Sequence, residues 1–324
     1  MTTKQYDFDW NELAFASKKP LKELKATFIA APRELSKPRF KQLVKELLPS
    51  GNLLLGIAKE DYVLGFEDQP QFKTLRQKEV QKIINSVNQS KSQHKIYTLH
   101  YFQRELVPIV SKIACKRVVF INGSWQYTFH NSAIFYELTS LQIPFKLVSA
   151  FVDETDAKAY EKKVKSAFPP AKNTKSTFVE AGLLDIADTT AKRSFDYSFQ
   201  TGAVLAKKAG RSYRLLATSY NKVVPFETYA MLYGASREVN FSPPHDLNHY
   251  DTVHAEVELI LMALRDRIDL AGTSLFINLL PCPTCARMLC DTAIAEVVYR
   301  NDHSDGYAVK LLEKAGKKVR RVVI

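Results

Sequence analysis

Ser274-Leu275-Phe276-Ile277-Asn278-Leu279-Leu280-Pro281-Cys282-Pro283-Thr284-Cys285 is the stretch on which the reading of this 324-residue chain turns. A short apolar run stops at a proline, and a Cys-Pro-Thr-Cys turn then opens a helical pattern over residues 282–292. Residues 296–300 return as a second strand, so the passage reads strand, helix, strand, the signature of an α/β layer fold. Working outward, residues 254–265 form a helix that opens on His254-Ala255-Glu256. Residues 203–207 and 214–219 make a hairpin pair, and 188–199 a helix. Beyond the central stretch come a helix over 306–315 and a strand over 318–323.

The polar residues in this frame have a chemistry in common. Cysteines at i and i+3 lie on one side of a helical turn and can reach one ion, and a helix N-terminus favours their thiolate forms. His254, 28 residues before Cys282, supplies a third ligand. Three protein ligands leave the fourth tetrahedral position of a zinc ion to water, which distinguishes a catalytic site from a structural one. Glu256 is then free to take a proton from that water and deliver it to a ring nitrogen and a departing amine. A redox-active C-x-x-C would leave His254 and Glu256 unexplained, and a structural zinc would need a fourth ligand. Cys290 and Cys115 read as core residues.

The order H-x-E, then P-C-x-x-C, is the pattern of zinc-dependent nucleobase deaminases, and residues 188–324 resemble the cytidine deaminase superfamily. Within it they are most similar to the deoxycytidylate deaminases, on the strength of Val297-Val298-Tyr299, Ser304-Asp305-Gly306-Tyr307 and Leu311-Leu312-Glu313-Lys314-Ala315-Gly316. The resemblance implies a Zn2+ cofactor and hydrolytic deamination of a cytosine-bearing free nucleotide, dCMP-like, to the uracil form with release of ammonia. It also implies that Asn221, in Ser219-Tyr220-Asn221, contacts the substrate sugar or phosphate, and that the Ala255 amide and the Pro281 carbonyl address the pyrimidine edge. Two other readings stand beside it: a deaminase of single-stranded DNA, RNA or tRNA, and a non-catalytic nucleotide-binding regulator, against which the intact Glu256 argues. Residues 222–253, with Arg237, His245 and His249, are long enough to form a substrate-selecting lid.

The first half is expected to repeat the second. An offset of 179 sets Val118-Val119-Phe120-Ile121-Asn122 against Val297-Val298-Tyr299-Arg300-Asn301 and superposes the preceding strand and two helices. The expected elements are helices over 36–48, 74–87, 105–114 and 132–141, strands over 95–102, 117–121 and 145–151, and a hairpin of 53–58 with 62–66. This predicts tandem three-layer αβα domains, 1–170 and 171–324, each with a mixed central sheet and joined by a lysine-rich linker over 162–175. The offset puts Leu75, Gln77, Gln103 and Leu106 opposite His254, Glu256, Cys282 and Cys285, so the first domain is expected to be catalytically inactive. It would replace the partner subunit that this superfamily commonly uses, and a homo-oligomer is the other arrangement the resemblance allows. His94, His100 and His130 have no ligand spacing.

Composition bounds the partners. The formal charge is +12, with 26 Lys and Arg against 17 Asp and Glu in residues 1–170. That surplus fits either a solvated surface or a polyanion such as nucleic acid. Four cysteines are too few for a disulfide framework. No apolar run approaches the roughly 18 residues that span a bilayer, so no membrane partner is expected. The acidic opening stretch lacks signal-peptide character, and a cytoplasmic location is the expectation.

Overall fold

The computed structural model describes residues 25–113, 115–121, 132–167, 177–197, 199–233 and 252–323. The chain divides into two compact units, Met1–Glu161 with Met231–Asn240, and Lys162–Ala230 with Phe241–Ile324. Arg237, His130, His245 and His249 lie outside the described residues. No described helix is long and apolar enough to cross a membrane.

The first unit alternates strand and helix: β1 (Thr27–Ala31), α1 (Lys37–Leu47), β2 (Leu53–Ala58), α2 (Gln77–Gln89), β3 (Ile96–Tyr101), α3 (Leu106–Lys112), β4 (Arg117–Ile121), α4 (Ala133–Ser140) and β5 (Phe145–Val148). Its sheet has the order β3-β2-β1-β4-β5, and every neighbouring pair is parallel. β1 and β2 are buried at every position, as parallel strands covered on both faces must be. Helix α1 starts as its sequence dictates: the Ser36 Oγ accepts the Arg39 N–H at 3.1 Å, and Phe40, Leu43, Val44 and Leu47 form its buried stripe. Gly56 is required where it stands, because a Cβ there would lie 2.6 Å from Phe28 Cε2 and 2.9 Å from Tyr101 Cε1.

The second unit consists of β6 (Thr177–Phe178), α6 (Glu180–Ala191), β7 (Gly202–Ala209), β8 (Ser212–Tyr220), β9 (Lys222–Val223), β10 (Thr252–Val253), α8 (Ala255–Arg265), β11 (Thr273–Leu279), α9 (Pro283–Cys290), β12 (Glu296–Asn301), α10 (Tyr307–Lys314) and β13 (Lys318–Arg321); the short helix α7 (Tyr229–Tyr233) begins within it. The sheet order is β13-β12-β11-β7-β8-β6. β11, β12 and β13 are parallel, and β7, β8 and β6 run antiparallel to their neighbours. Alternation along the strands feeds two cores: Leu205, Leu275 and Val297 pack with Leu259 of α8, Leu289 of α9 and Leu312 of α10, while Val204, Phe276 and Val298 pack with Leu183, Leu184 and Ala187 of α6. This is a three-layer αβα arrangement with a mixed sheet, as expected. Gly202 lets α6 sit against β7: a Cβ there would be 2.0 Å from the Ala187 carbonyl oxygen.

The α/β class holds for both units, but the expected repeat does not extend to the first sheet, which is wholly parallel rather than mixed. The strands that the offset equates are wired differently. β11 and β12 are neighbours, whereas β3 and β4 are separated by β2 and β1. A shared strand-helix-strand order reflects local periodicity; pairing is a long-range choice to which that periodicity is blind. Residues 62–66 do not return along β2, whose second edge is taken by β3 through Leu53↔Ile96; Tyr62 makes only an isolated bridge with Lys73. The stretch read as a linker from Lys162 is helical through Ala167 as part of α5 (Glu154–Ala167). The expected helix over 188–199 is displaced to α6, because Ser194 donates its hydroxyl to the Asn221 carbonyl at 2.7 Å and accepts the Asp196 N–H, holding 194–196 out of helical form.

Arg320 of β13 ties the layers of the second unit together, donating to Glu180 at 3.0 Å and to Glu296 at 2.8 Å. Its hydrogen bond holds the Glu180 carboxyl below the ordinary range. At Glu296 burial pushes the carboxyl up, but hydrogen bonds from Arg320 and Ser274 outweigh it and the net shift is downward. Carboxylates with depressed pKa stabilise the fold above about pH 4.3, their unfolded value, and lose that contribution as pH falls through the folded one. Arg320→Ala should therefore cost about 1–2 kcal/mol at neutral pH, discounted for the partly exposed Glu180. Urea unfolding of variant and parent should show that gap narrowing below about pH 4.

Candidate metal centre and active site

Two helix N-termini meet at the site. His254 is the N-cap of α8, extended at φ −62° and ψ 153°, and its carbonyl accepts the Glu258 N–H at 3.0 Å. Cys282 is the N-cap of α9, its Sγ accepting the Cys285 N–H at 3.4 Å, with Pro283 in the first turn where a missing N–H costs nothing. The His254 Nδ1 lies 3.5 Å from Cys282 Sγ and 3.3 Å from Cys285 Sγ. Among the described residues, His254, Cys282 and Cys285 are the group whose ligand atoms lie close enough, all within 4.8 Å, to hold one metal ion.

The donor set fits zinc. Ligands at about 2.3 Å (sulfur) and 2.0–2.1 Å (nitrogen) separated by a tetrahedral angle stand roughly 3.5 Å apart, close to the separations observed. The helix termini add partial positive charge where thiolates must form. Hydrogen bonds from Cys285 and His254 hold the Cys282 thiol well below its ordinary range, and the bond to Cys282 raises His254. Cys290 is not in the group: its Sγ faces the Leu311 carbonyl at 3.9 Å. Burial pushes the Cys115 thiol up to about 12, and Cys115 packs against the first unit's core. His100 is exposed and His94 half-buried.

Glu256 follows one residue into α8 and is 3% exposed. Burial raises its carboxyl, opposed by the residue's own backbone N–H and by His254. Ala255, fully buried, is the first helical residue, so its N–H has no partner within the helix. Its carbonyl accepts the Ser219 hydroxyl at 2.7 Å, which fastens the start of α8 to β8. Pro281 is buried and joins β11 to Cys282, while the Leu280 N–H continues the ladder to the Asn301 carbonyl at 2.8 Å.

Asn221 is 4% exposed and already engaged. Its Nδ2 donates to the Phe199 carbonyl at 2.9 Å and to Asp196 Oδ2 at 3.3 Å, and its Oδ1 accepts the Thr201 N–H at 2.9 Å. What it can offer a substrate is the second lone pair of Oδ1. Asp196 escaped the sequence reading because it fell inside the displaced helix. It is 2% exposed, and its charge acts on His254 in the direction that favours the imidazolium. No local pattern marks such a residue; only the fold brings its charge near His254. The segment expected to form a lid has both ends pinned, since β9 and β10 pair antiparallel through Thr252↔Val223 and Val253↔Lys222. Lys222 is ion-paired to Glu258 of α8. Residues 234–251 lie outside the described residues.

Residues 180–301 match the family described as the cytidine and deoxycytidylate deaminase zinc-binding region. The matched residues include His254, Glu256, Cys282 and Cys285 of the second unit. The chain is 31% identical over 139 residues to the deoxycytidylate deaminase of Saccharomyces cerevisiae, 43% of each chain. It is 29% identical over 130 residues to a probable deoxycytidylate deaminase of Drosophila melanogaster, 40% of this chain and 61% of that one. The chain thus spans about half the length of these relatives. Among solved structures it is similar to the dCMP deaminase of cyanophage S-TIM5 in complex with dCMP and dUMP, at 19% identity and a TM-score of 0.35, covering 44% of this chain and 96% of that one.

Metal analysis of the purified protein should return one zinc per chain. His254→Ala and Cys282→Ser should lose it together with thermal stability, since metal binding contributes to folding. Cys115→Ser and Cys290→Ser should retain the full equivalent.

Proposed function

We propose that the second unit is a zinc-dependent hydrolytic deaminase of a cytosine-bearing free nucleotide, dCMP-like, that yields the uracil form and ammonia. The observation that carries this reading is Glu256, a buried carboxyl that starts the same helix as the metal-ligating histidine. In the proposal His254, Cys282 and Cys285 hold the zinc. A zinc ion bound there supplies Lewis acidity that makes a water nucleophilic near neutral pH.

Glu256 as carboxylate takes a proton from the attacking water. As acid it passes that proton to the ring nitrogen while oxygen adds at C4; it then takes the remaining proton from that oxygen and delivers it to the amino group as the C4–N bond breaks, the C4=O bond forms and ammonia leaves. Burial supports this double role, since a carboxyl raised toward neutrality exchanges protons in both directions more readily. The Ala255 N–H and the Pro281 carbonyl offer a donor and an acceptor to the pyrimidine edge, and Asn221 offers its remaining lone pair to the sugar or phosphate. The first unit lacks this ligand set among its described residues and acts as a non-catalytic domain.

Zinc-loaded protein should form uracil faster from dCMP than from dCTP, cytidine or a cytosine-bearing oligonucleotide. Faster turnover on the oligonucleotide would replace the free-nucleotide reading with a polynucleotide one. Glu256→Ala should keep zinc and fold yet lose roughly 10²- to 10⁴-fold in turnover; near-normal activity would assign the proton transfer elsewhere.

A further inference from the structure

Strand register brings two aromatic rings together at the end of β11. β7 pairs antiparallel with β11 through Ala203↔Ile277, and β12 pairs parallel with it through Leu279↔Asn301. Past these pairs the three segments stay side by side. The Gly202 N–H donates to Asn278 Oδ1 at 2.9 Å, Asn278 Nδ2 donates to the Gln200 carbonyl at 3.1 Å, and the Leu280 N–H donates to the Asn301 carbonyl at 2.8 Å. Counting on in that register sets Phe199 on one side of Pro281 and His303 on the other. Their ring centroids are 6.3 Å apart at an interplanar angle of 66°, so the rings meet across the strand end from which Cys282 departs.

Alternation along the strands assigns the pair to a face of the sheet. Ala203 and Leu205 of β7, Leu275 and Ile277 of β11, and Val297 and Tyr299 of β12 pack with Leu259 of α8 and Leu289 of α9. Phe199 and His303 continue that odd-numbered series. This is the side on which α8 and α9 begin, with His254 and Cys282 as their N-caps.

Both rings stand on fixed backbone. Phe199 is 56% exposed, yet its N–H donates to Asp196 Oδ1 at 3.3 Å and its carbonyl accepts the Asn221 amide at 2.9 Å. The main chain makes these bonds, and the ring makes none of them. The turn that carries His303 is anchored by the ion pair of Asp302 with Arg321 and by the Gly306 N–H on the His303 carbonyl at 3.2 Å. Ser304 and Asp305 follow in left-handed backbone at φ 51° each, a conformation that crowds Cβ against the next carbonyl and recurs at ligand-binding sites. An aromatic side chain held in solvent beside a site gains most when a flat ring packs on it.

We propose that Phe199 and His303 form the wall against which the pyrimidine ring of the substrate packs. The inference rests on the deaminase reading of the second unit, and adds to it two residues that hold the base beside the metal ligands. A packing contact is made equally in the bound substrate and in the transition state. It should therefore appear in KM and in equilibrium binding while kcat changes little.

The test is steady-state kinetics with dCMP and calorimetric titration with dUMP, on the zinc-loaded full chain. Phe199→Ala should raise KM for dCMP and Kd for dUMP together by about 5- to 150-fold, the range of base–aromatic stacking. His303→Ala should raise both by about 2- to 12-fold, the range of one aromatic pair. Phe199→Tyr keeps the ring and should behave as the parent does. All three variants should hold the full zinc equivalent and melt with the parent, because the hydrogen bonds of residue 199 belong to its backbone. The proposal is overturned by unchanged KM and Kd in Phe199→Ala, by a loss confined to kcat, by an equal loss in Phe199→Tyr, or by a loss that tracks zinc content or melting temperature. Binding of dUMP without turnover of dCMP, still weakened in Phe199→Ala, supports the wall and removes the deaminase reading alone. A parent that neither binds dUMP nor turns over dCMP overturns both.

Discussion

The second unit is organised around one electrostatic constraint: two thiol sulfurs and an imidazole nitrogen must stand within 4.8 Å of one another. Metal ligands this close need both a precise scaffold and a local field that tolerates negative charge. Two helix N-termini meet both needs, because an N-cap side chain is held by backbone geometry and faces unpaired N–H groups. Almost everything else in the unit keeps those two termini together. The parallel β11–β12 pair aims Cys282 from the end of a strand, the Ser219 bond to the Ala255 carbonyl fixes α8 to β8, and the β9–β10 clasp delivers the chain to His254.

Around that centre the remaining polar groups are bound to the protein itself. Asn221 joins the turn after α6 to the end of β8 through three hydrogen bonds, and Asp196 is held by the same network. A rigid shell of this kind limits how far the side chains of the cluster can drift. Glu256 stands in the first turn of α8, the helix whose N-cap is His254.

The two units solve the burial problem differently. In the first, β1 and β2 are covered on both faces, so their sequences are continuous apolar runs without alternation. In the second, the β7–β8 hairpin brings antiparallel pairs into a sheet whose other half is parallel. Element order alone cannot tell these apart, because strand-helix-strand units occur in both. The expected duplication rested on that shared order and failed at the pairing, where β3 and β4 part around β2 and β1.

The sequence by itself determined what depends on near neighbours along the chain. Helix starts at Ser36, His254 and Cys282, the β7–β8 hairpin and the His-Glu and Cys-Cys spacing are each written in a few consecutive residues, and all were legible there. Tertiary structure alone decided which strands lie side by side, that the charge of Asp196 lies near His254, and that Asn221 spends its amide on the chain. These features join residues tens of positions apart through packing and hydrogen bonds. No local propensity carries that information, since the free energy that selects one pairing over another arises only when the two segments meet.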